Sequence, residues 1–203
     1  MGTPSDQFGA KPAVLRCSRC GKLVDWAGAQ LQVVCTCRPR LELPPVFVRE
    51  STDADRPAVR ALFESDFGRT KIVAFGEVMD IDQLPVLVAL VTQDLAGALA
   101  YRSFGDALHL VALATDPLWQ RSGVGGHLVA EAELLARRLE LRRTIVATTN
   151  DNLPALYFYQ RRGYRLTDLV PNSITVHTGQ EVAGFAGIPV RDEVRLEKRL
   201  TVL

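Results

Sequence analysis

The chain has 203 residues, a formal net charge of +1, 47% hydrophobic residues and 23% charged residues. That composition suits one ordinary folded domain plus a small appendage and argues against a disordered chain. Near-neutral charge gives no global pull towards nucleic acid or membranes, and the longest apolar runs, Leu84 to Val91 and Leu95 to Tyr101, are strand-sized, far below the ~20 residues that span a bilayer.

Residues 1–10 are small and polar, as in a tail. They lack a basic patch followed by an apolar core, so no secretory signal is expected and the expected location is cytoplasmic. All four cysteines fall within the first 37 residues. Short strand-like pieces surround them at Ala13 to Leu15, Lys22 to Asp25 and Leu31 to Val34. A piece this small needs a staple to hold a core. Arg38-Pro39-Arg40 and Pro44-Pro45 then punctuate the chain, which divides it into an N-terminal module with linker (1–44) and a body (45–203). The module carries six Lys/Arg against three Asp/Glu, the body eighteen against twenty.

The body alternates strand and helix signals. Val46 to Arg49 reads as a strand. Asp53 or Asp55 is placed to cap a helix through Phe63 with Val59, Leu62 and Phe63 inward. Leu87 to Val91, Ala96 to Tyr101 and Leu108 to Thr115 read as an antiparallel meander, with Asp94 near Gly97 and Gly105-Asp106 as turn chemistry. A helix follows from Val124 to Leu139 with Val124, Leu128, Ala132, Leu135 and Leu139 on one stripe. Arg143 to Ala147 reads as a buried strand. A short helix runs from about Leu153 to Arg162 and stops at Gly163, a left-handed terminus. Tyr164 to Val170 and Val190 to Lys198 read as the last strands, and Pro171 to Pro189 as a long lid or binding loop.

Two motifs carry chemistry. Gln120-Arg121-Ser122-Gly123-Val124-Gly125-Gly126 joins a strand to a helix, so its main-chain N–H groups sit at the positive end of a helix dipole, a setting for phosphate or pyrophosphate. A glycine turn alone is equally met in tight helix–strand packing. The dinucleotide fingerprint does not fit, because its spacing differs and this turn follows a meander in mid-chain. The second motif is Asn152-x-x-Ala155-x-x-Phe158-Tyr159-x-x-x-Gly163-Tyr164, in which Asn152, Ala155 and Tyr159 share a helix face.

Together these residues resemble the GNAT family of acetyltransferases, which use acetyl-coenzyme A (acetyl-CoA). Gln120, Gly123 and Gly125 match its Gln/Arg-x-x-Gly-x-Gly/Ala signature, and Asn152, Ala155, Tyr159 and Gly163 its next helix. The closing run Gly187 to Glu193 is similar to its last strand. The resemblance covers residues 45–203 and implies an α/β fold: a mixed, mostly antiparallel sheet flanked by helices. It implies that amides of Arg121, Ser122, Gly123, Val124, Gly125 and Gly126 bind the pyrophosphate, and that the preceding strand bulges and splays to admit the pantetheine arm. An amide near Ala114 or Thr115 would polarise the thioester carbonyl. Asn152 would bond the arm, and Tyr159 would protonate the departing thiolate. Ser122 stands where the family often has Arg. The implied reaction is N-acetylation of a primary amine by direct attack in a ternary complex.

The signature reads only the donor. The proton acceptor is open among Glu77, Asp80, Asp82, His109, His177, Glu193 and water. Trp119, Phe104 and Tyr101 are candidate walls of the acceptor pocket or plain core residues. The competing reading is a non-catalytic acyl-CoA-binding protein whose N-terminal module docks a protein or nucleic acid, the latter disfavoured by the thin basic charge. A homodimer is allowed.

Cys17-x-x-Cys20-Gly21 has the spacing of a metal knuckle, and Cys35-x-Cys37 is an unusually tight second pair. The expected module is zinc-ribbon-like, with structural Zn2+ on Cys17, Cys20, Cys35 and Cys37. Four protein ligands would leave no open position for substrate. A disulfide or free thiols are the alternatives, less suited to a reducing compartment.

Overall fold

The computed structural model describes residues 45–179 and 182–201. In chain order they form β1 (Val46–Glu50), α1 (Arg56–Phe67), β2 (Lys71–Ala74), β3 (Glu77–Asp80), β4 (Val86–Val91), β5 (Asp94–Phe104), β6 (Ala107–Thr115), α2 (Val124–Arg138), β7 (Arg143–Thr149), α3 (Leu153–Gln160), β8 (Arg165–Val170), α4 (Ser173–Thr178), β9 (Val182–Ala183), β10 (Pro189–Val190) and β11 (Glu193–Arg199). Seven strands make one sheet in the order β1-β4-β5-β6-β7-β11-β8. Every neighbouring pair is antiparallel except β6–β7. That parallel pair needs a crossover, and α2 supplies it.

Helices cover both faces. Val124, Leu128, Val129 and Ala132 of α2 pack with Leu87, Ala89, Leu99, Leu108 and Leu110. On the opposite face Val59, Leu62 and Phe63 of α1 pack with Val88, Ala98, Ala100, Ala112 and Ala114. Gly97 lies inside β5 rather than in a turn. A Cβ there would stand 2.8 Å from Val124 Cγ1 and 3.0 Å from the Ala114 carbonyl oxygen, so glycine sets how closely the start of α2 seats on the sheet.

β6 carries the feature that shapes the site. Leu110 pairs with Tyr101 and Ala112 with Ala100, which leaves Val111 as an extra, bulged residue. The bulge inverts the alternation: Leu108 and Leu110 point to the α2 face, whereas Ala112 and Ala114 point to the α1 face. β6 pairs with β7 only from Ala107↔Arg143 to Leu110↔Val146. Beyond the bulge the two strands part, and among the described residues Val111–Thr115 has no partner on its β7 side.

Several sequence expectations need correcting. α2 ends at Arg138, and Leu139 is about half exposed. In β7 only Thr144 and Val146 are fully buried. The span from Pro171 to Pro189 holds α4, β9 and a short 3-10 turn, so it is not one long loop. β2 and β3 form a hairpin that the sequence reading passed over, closed by Phe75 and Gly76, both left-handed at φ 58° and 73°. Positive φ at both turn positions matches the right-handed twist of the strands, but a phenylalanine there is uncommon.

Cys17, Cys20, Cys35 and Cys37 lie outside the described residues, as does the rest of the expected zinc-ribbon-like module. Among the described residues no group of three or more His, Cys, Asp or Glu is arranged to hold a metal ion, and no helix is long and apolar enough to cross a membrane.

Candidate active site

The gap between β6 and β7 opens towards the glycine turn. The Asp116 N–H donates to the Ala96 carbonyl (3.0 Å). Antiparallel alternation therefore turns the main chain of Ala114 towards β5 and that of Leu113 and Thr115 towards the gap. The Gln120 side-chain amide reaches the Thr115 carbonyl from that side at 3.4 Å. Of the two residues at the strand end, Thr115 rather than Ala114 presents its N–H to the opening.

The turn itself begins with Arg121 at φ 61° and reaches α2 through Gly123 at φ 103°. The positive φ is what calls for glycine at 123, not crowding, because a Cβ there would meet no described neighbour within 4 Å. The Ser122 N–H and hydroxyl both turn back to the Trp119 carbonyl. That removes Ser122 from the set of available donors. Among the described residues the amides of Gly123, Val124, Gly125 and Gly126 make no main-chain hydrogen bond, and the first helical bond is from His127 N–H to the Gly123 carbonyl (3.1 Å). Four converging amides at the head of a 15-residue helix form an anion cradle.

An open recess of about 530 Å³ adjoins the cradle, lined by Gly123, Gly126, His127, Ala130, Arg161 and Arg162. The Arg162 guanidinium lies 3.7 Å from the centroid of the Phe158 ring and donates to the Phe158 carbonyl at 3.0 Å. The sequence reading missed this pair of cations, although their place just before Gly163 at the end of a short helix was the available signal.

Asn152 caps α3, its Oδ1 accepting from Ala155 N–H at 3.1 Å. Tyr159 is 4% exposed and sits edge-on to Phe158 and Tyr164, on the α2 face. Burial pushes its hydroxyl above the ordinary tyrosine range, so it stays protonated throughout the physiological range. No described residue accepts a hydrogen bond from it.

On the α1 face, a cavity of about 310 Å³ runs under the β2–β3 hairpin and reaches the gap at Val111, Ala147, Thr149 and Asn152. Of the candidate proton acceptors only Glu193 lines it. Its carboxylate is 1% exposed, accepting from Arg195 Nε at 2.6 Å and from Gly76 N–H at 3.1 Å. Glu77 pairs with Arg102 (2.9 Å), Asp82 with Arg60 (3.0 Å), and Asp80 accepts from Asp82 N–H. His177 contacts the Gly76 carbonyl at 3.0 Å. His109 stacks on Phe75 with centroids 4.0 Å apart, and its Nδ1 is buried without a partner among the described residues. Tyr101, Phe104, Trp119 and Tyr159 do not line the cavity either. Cradle and cavity thus lie on opposite faces of the sheet, joined by the gap.

The sequence profile of the acetyltransferase (GNAT) family matches residues 49–164. Two uncharacterised Bacillus subtilis (strain 168) proteins are similar. YxbD is 32% identical over 147 residues, 70% of this chain and 91% of its own. YdhI is 27% identical over 141 residues, 67% of this chain and 87% of its own. Among solved structures, the IAA acetyltransferase from Bacillus cereus superposes with a TM-score of 0.63 at 19% identity, covering 77% of this chain and all of that one. A Bacillus subtilis acetyltransferase in complex with CoA superposes with a TM-score of 0.60 at 20% identity, covering 77% of this chain and 98% of that one. The chain belongs to the GNAT acetyltransferase family.

Proposed function

We propose that the protein transfers an acetyl group from acetyl-CoA to a primary amine by direct attack in a ternary complex. The observation that carries this reading is the unpaired edge of β6 beyond Leu110, lying between the amide cradle and a separate cavity. The pyrophosphate sits on the amides of Gly123 to Gly126, with Arg121 and Gln120 beside it and the cations Arg161 and Arg162 lining the adjoining recess. The pantetheine arm lies along the open edge, where Asn152 bonds it. The Thr115 or Leu113 N–H stabilises the carbonyl oxygen as it gains charge.

The acceptor arrives from the α1 face. An alkyl ammonium of pKa ~10 first gives its proton to water, because only the free amine has a lone pair to offer. Nitrogen attacks the carbonyl carbon, the C–S bond breaks, and the thiolate takes the Tyr159 proton. The nitrogen's surplus proton leaves to solvent and solvent reprotonates Tyr159, so each turnover consumes one ammonium and releases one proton net. At the N-terminus, Cys17, Cys20, Cys35 and Cys37 hold one structural zinc, an assignment that rests on their spacing.

Thiol release from acetyl-CoA over a panel of amines tests the reaction, with calorimetry to follow donor binding. Tyr159→Phe lowers kcat by roughly tenfold or more, at or below the ~10²–10⁴-fold usual for general acid–base catalysis, with little change in acetyl-CoA affinity. A kcat equal to wild type across pH removes Tyr159 from the mechanism. Binding without thiol release for any amine favours a binding-only protein. Metal analysis of the native protein is expected to give one zinc per chain, lost in Cys17→Ser/Cys20→Ser; a metal-free native protein ends the zinc assignment.

A further inference from the structure

We infer that the acceptor is a small amine bearing an anionic group at the far end of an apolar body, bound along the β2–β3 hairpin. This rests on the acetyl-transfer reading above. Size comes first. A cavity of about 310 Å³ holds roughly ten waters' worth of liquid volume, which suits a short chain molecule rather than a folded partner.

Charge then separates the two ends. At the hairpin tip the one carboxylate in the lining is Glu193, buried and held by Arg195 and by the Gly76 N–H. At the hairpin's open end the lining includes Arg69 and Lys71. Neither makes an ion pair among the described residues. Asp80 faces Lys71 across the hairpin, but its Oδ1 accepts from the Asp82 N–H at 3.2 Å. Lys71 and Ala74 are three residues apart on one strand, about 10 Å. Between the ends the walls are Ile72, Val111, Ile174 and Val190.

A ligand matching this pattern places its nitrogen towards Glu193 and the gap, its apolar chain along the walls, and its anion on Arg69 and Lys71. The same pattern works against rivals. A simple alkylamine leaves both cations unmatched, and a diamine brings a second positive charge to them.

The test compares 6-aminohexanoate, the aminoalkylphosphonate of equal chain length, hexylamine and 1,6-diaminohexane in thiol-release kinetics with the full chain. The anionic amines are expected to exceed hexylamine about tenfold in kcat/KM, the size of one charge-assisted contact, mostly through KM, with the diamine poorest. Whichever of carboxylate and phosphonate leads identifies the anion. Arg69→Ala/Lys71→Ala, checked for folding by its melting temperature, is expected to bring the anionic-to-hexylamine ratio close to one. Parity in the wild type, or a ratio that survives the double substitution, overturns the inference and leaves acetyl transfer standing. No thiol release with any amine overturns both.

Discussion

His109 shows how the hairpin tip is tied to the sheet. Its ring stacks on Phe75, whose backbone sits in the left-handed region, and Arg102 lies 5.8 Å from the same Phe75 ring. The contacts of Phe75 and Gly76 with His109, Glu193 and His177 hold a turn conformation that phenylalanine resists. Burial, then the nearby Arg102, Arg195 and Arg143, draws the His109 pKa down to about 4. The unfolded value is ~6.5, so the folded state holds His109 neutral where the unfolded chain would take up a proton. The associated stability is complete above about pH 6.5 and is lost as pH falls towards 4, by a few kcal/mol at most. His109→Gln removes that component. Melting temperatures measured across this range should fall less steeply for the variant than for wild type, and parallel curves would show that His109 contributes nothing.

At the scale of elements, the glycine turn works only if α2 points at the gap, and Gly97 sets that seat. Gly97→Ala forces a Cβ against Val124, Leu128 and the Ala114 carbonyl, and a main-chain oxygen cannot swing away. The expected cost is about 1–3 kcal/mol of stability, the usual range for overpacking, together with weaker acetyl-CoA binding because the cradle shifts with the helix. Urea unfolding and calorimetry read the two effects. Destabilisation with wild-type affinity would uncouple the helix seat from the site. Gly97 was not readable as a packing residue, since a glycine three places after Asp94 looks the same as turn chemistry. The hairpin was hidden for a related reason: its four-residue strands are short, and Phe-Gly is not the turn pair that announces a hairpin. The meander, α2 and the α3 cap were readable because periodicity and capping residues carry them without help from the rest of the fold.

Across the whole molecule, the sequence offered residues for the proposed donor side and little for the proposed acceptor side. Gln120 to Gly126 and Asn152 to Gly163 are contiguous motifs whose chemistry is local. The proposed acceptor cavity draws on α1, β2, β6, β7, α4, β10 and β11, so nothing in the chain order brings Lys71 and Glu193 together before folding does. Glu193 could be named as a candidate but not chosen, because five rival side chains able to take a proton carried no signal of where they would face. A bulge in this strand followed from the family resemblance, but its place at Val111 was unreadable because Leu108 to Ala114 is nearly continuous in burial and offers no alternation to break.

That one surplus residue has a consequence for how this region can vary. Position 111 acts as a spacer more than as a side chain: it shifts the parity of everything after it by one. Exchanging valine for another aliphatic keeps the bulge, whereas losing this residue would leave Ala112 opposite Ala100 in an unbroken ladder and remove the bulge at which β6 and β7 part. The strand's length is therefore held more tightly than its letters.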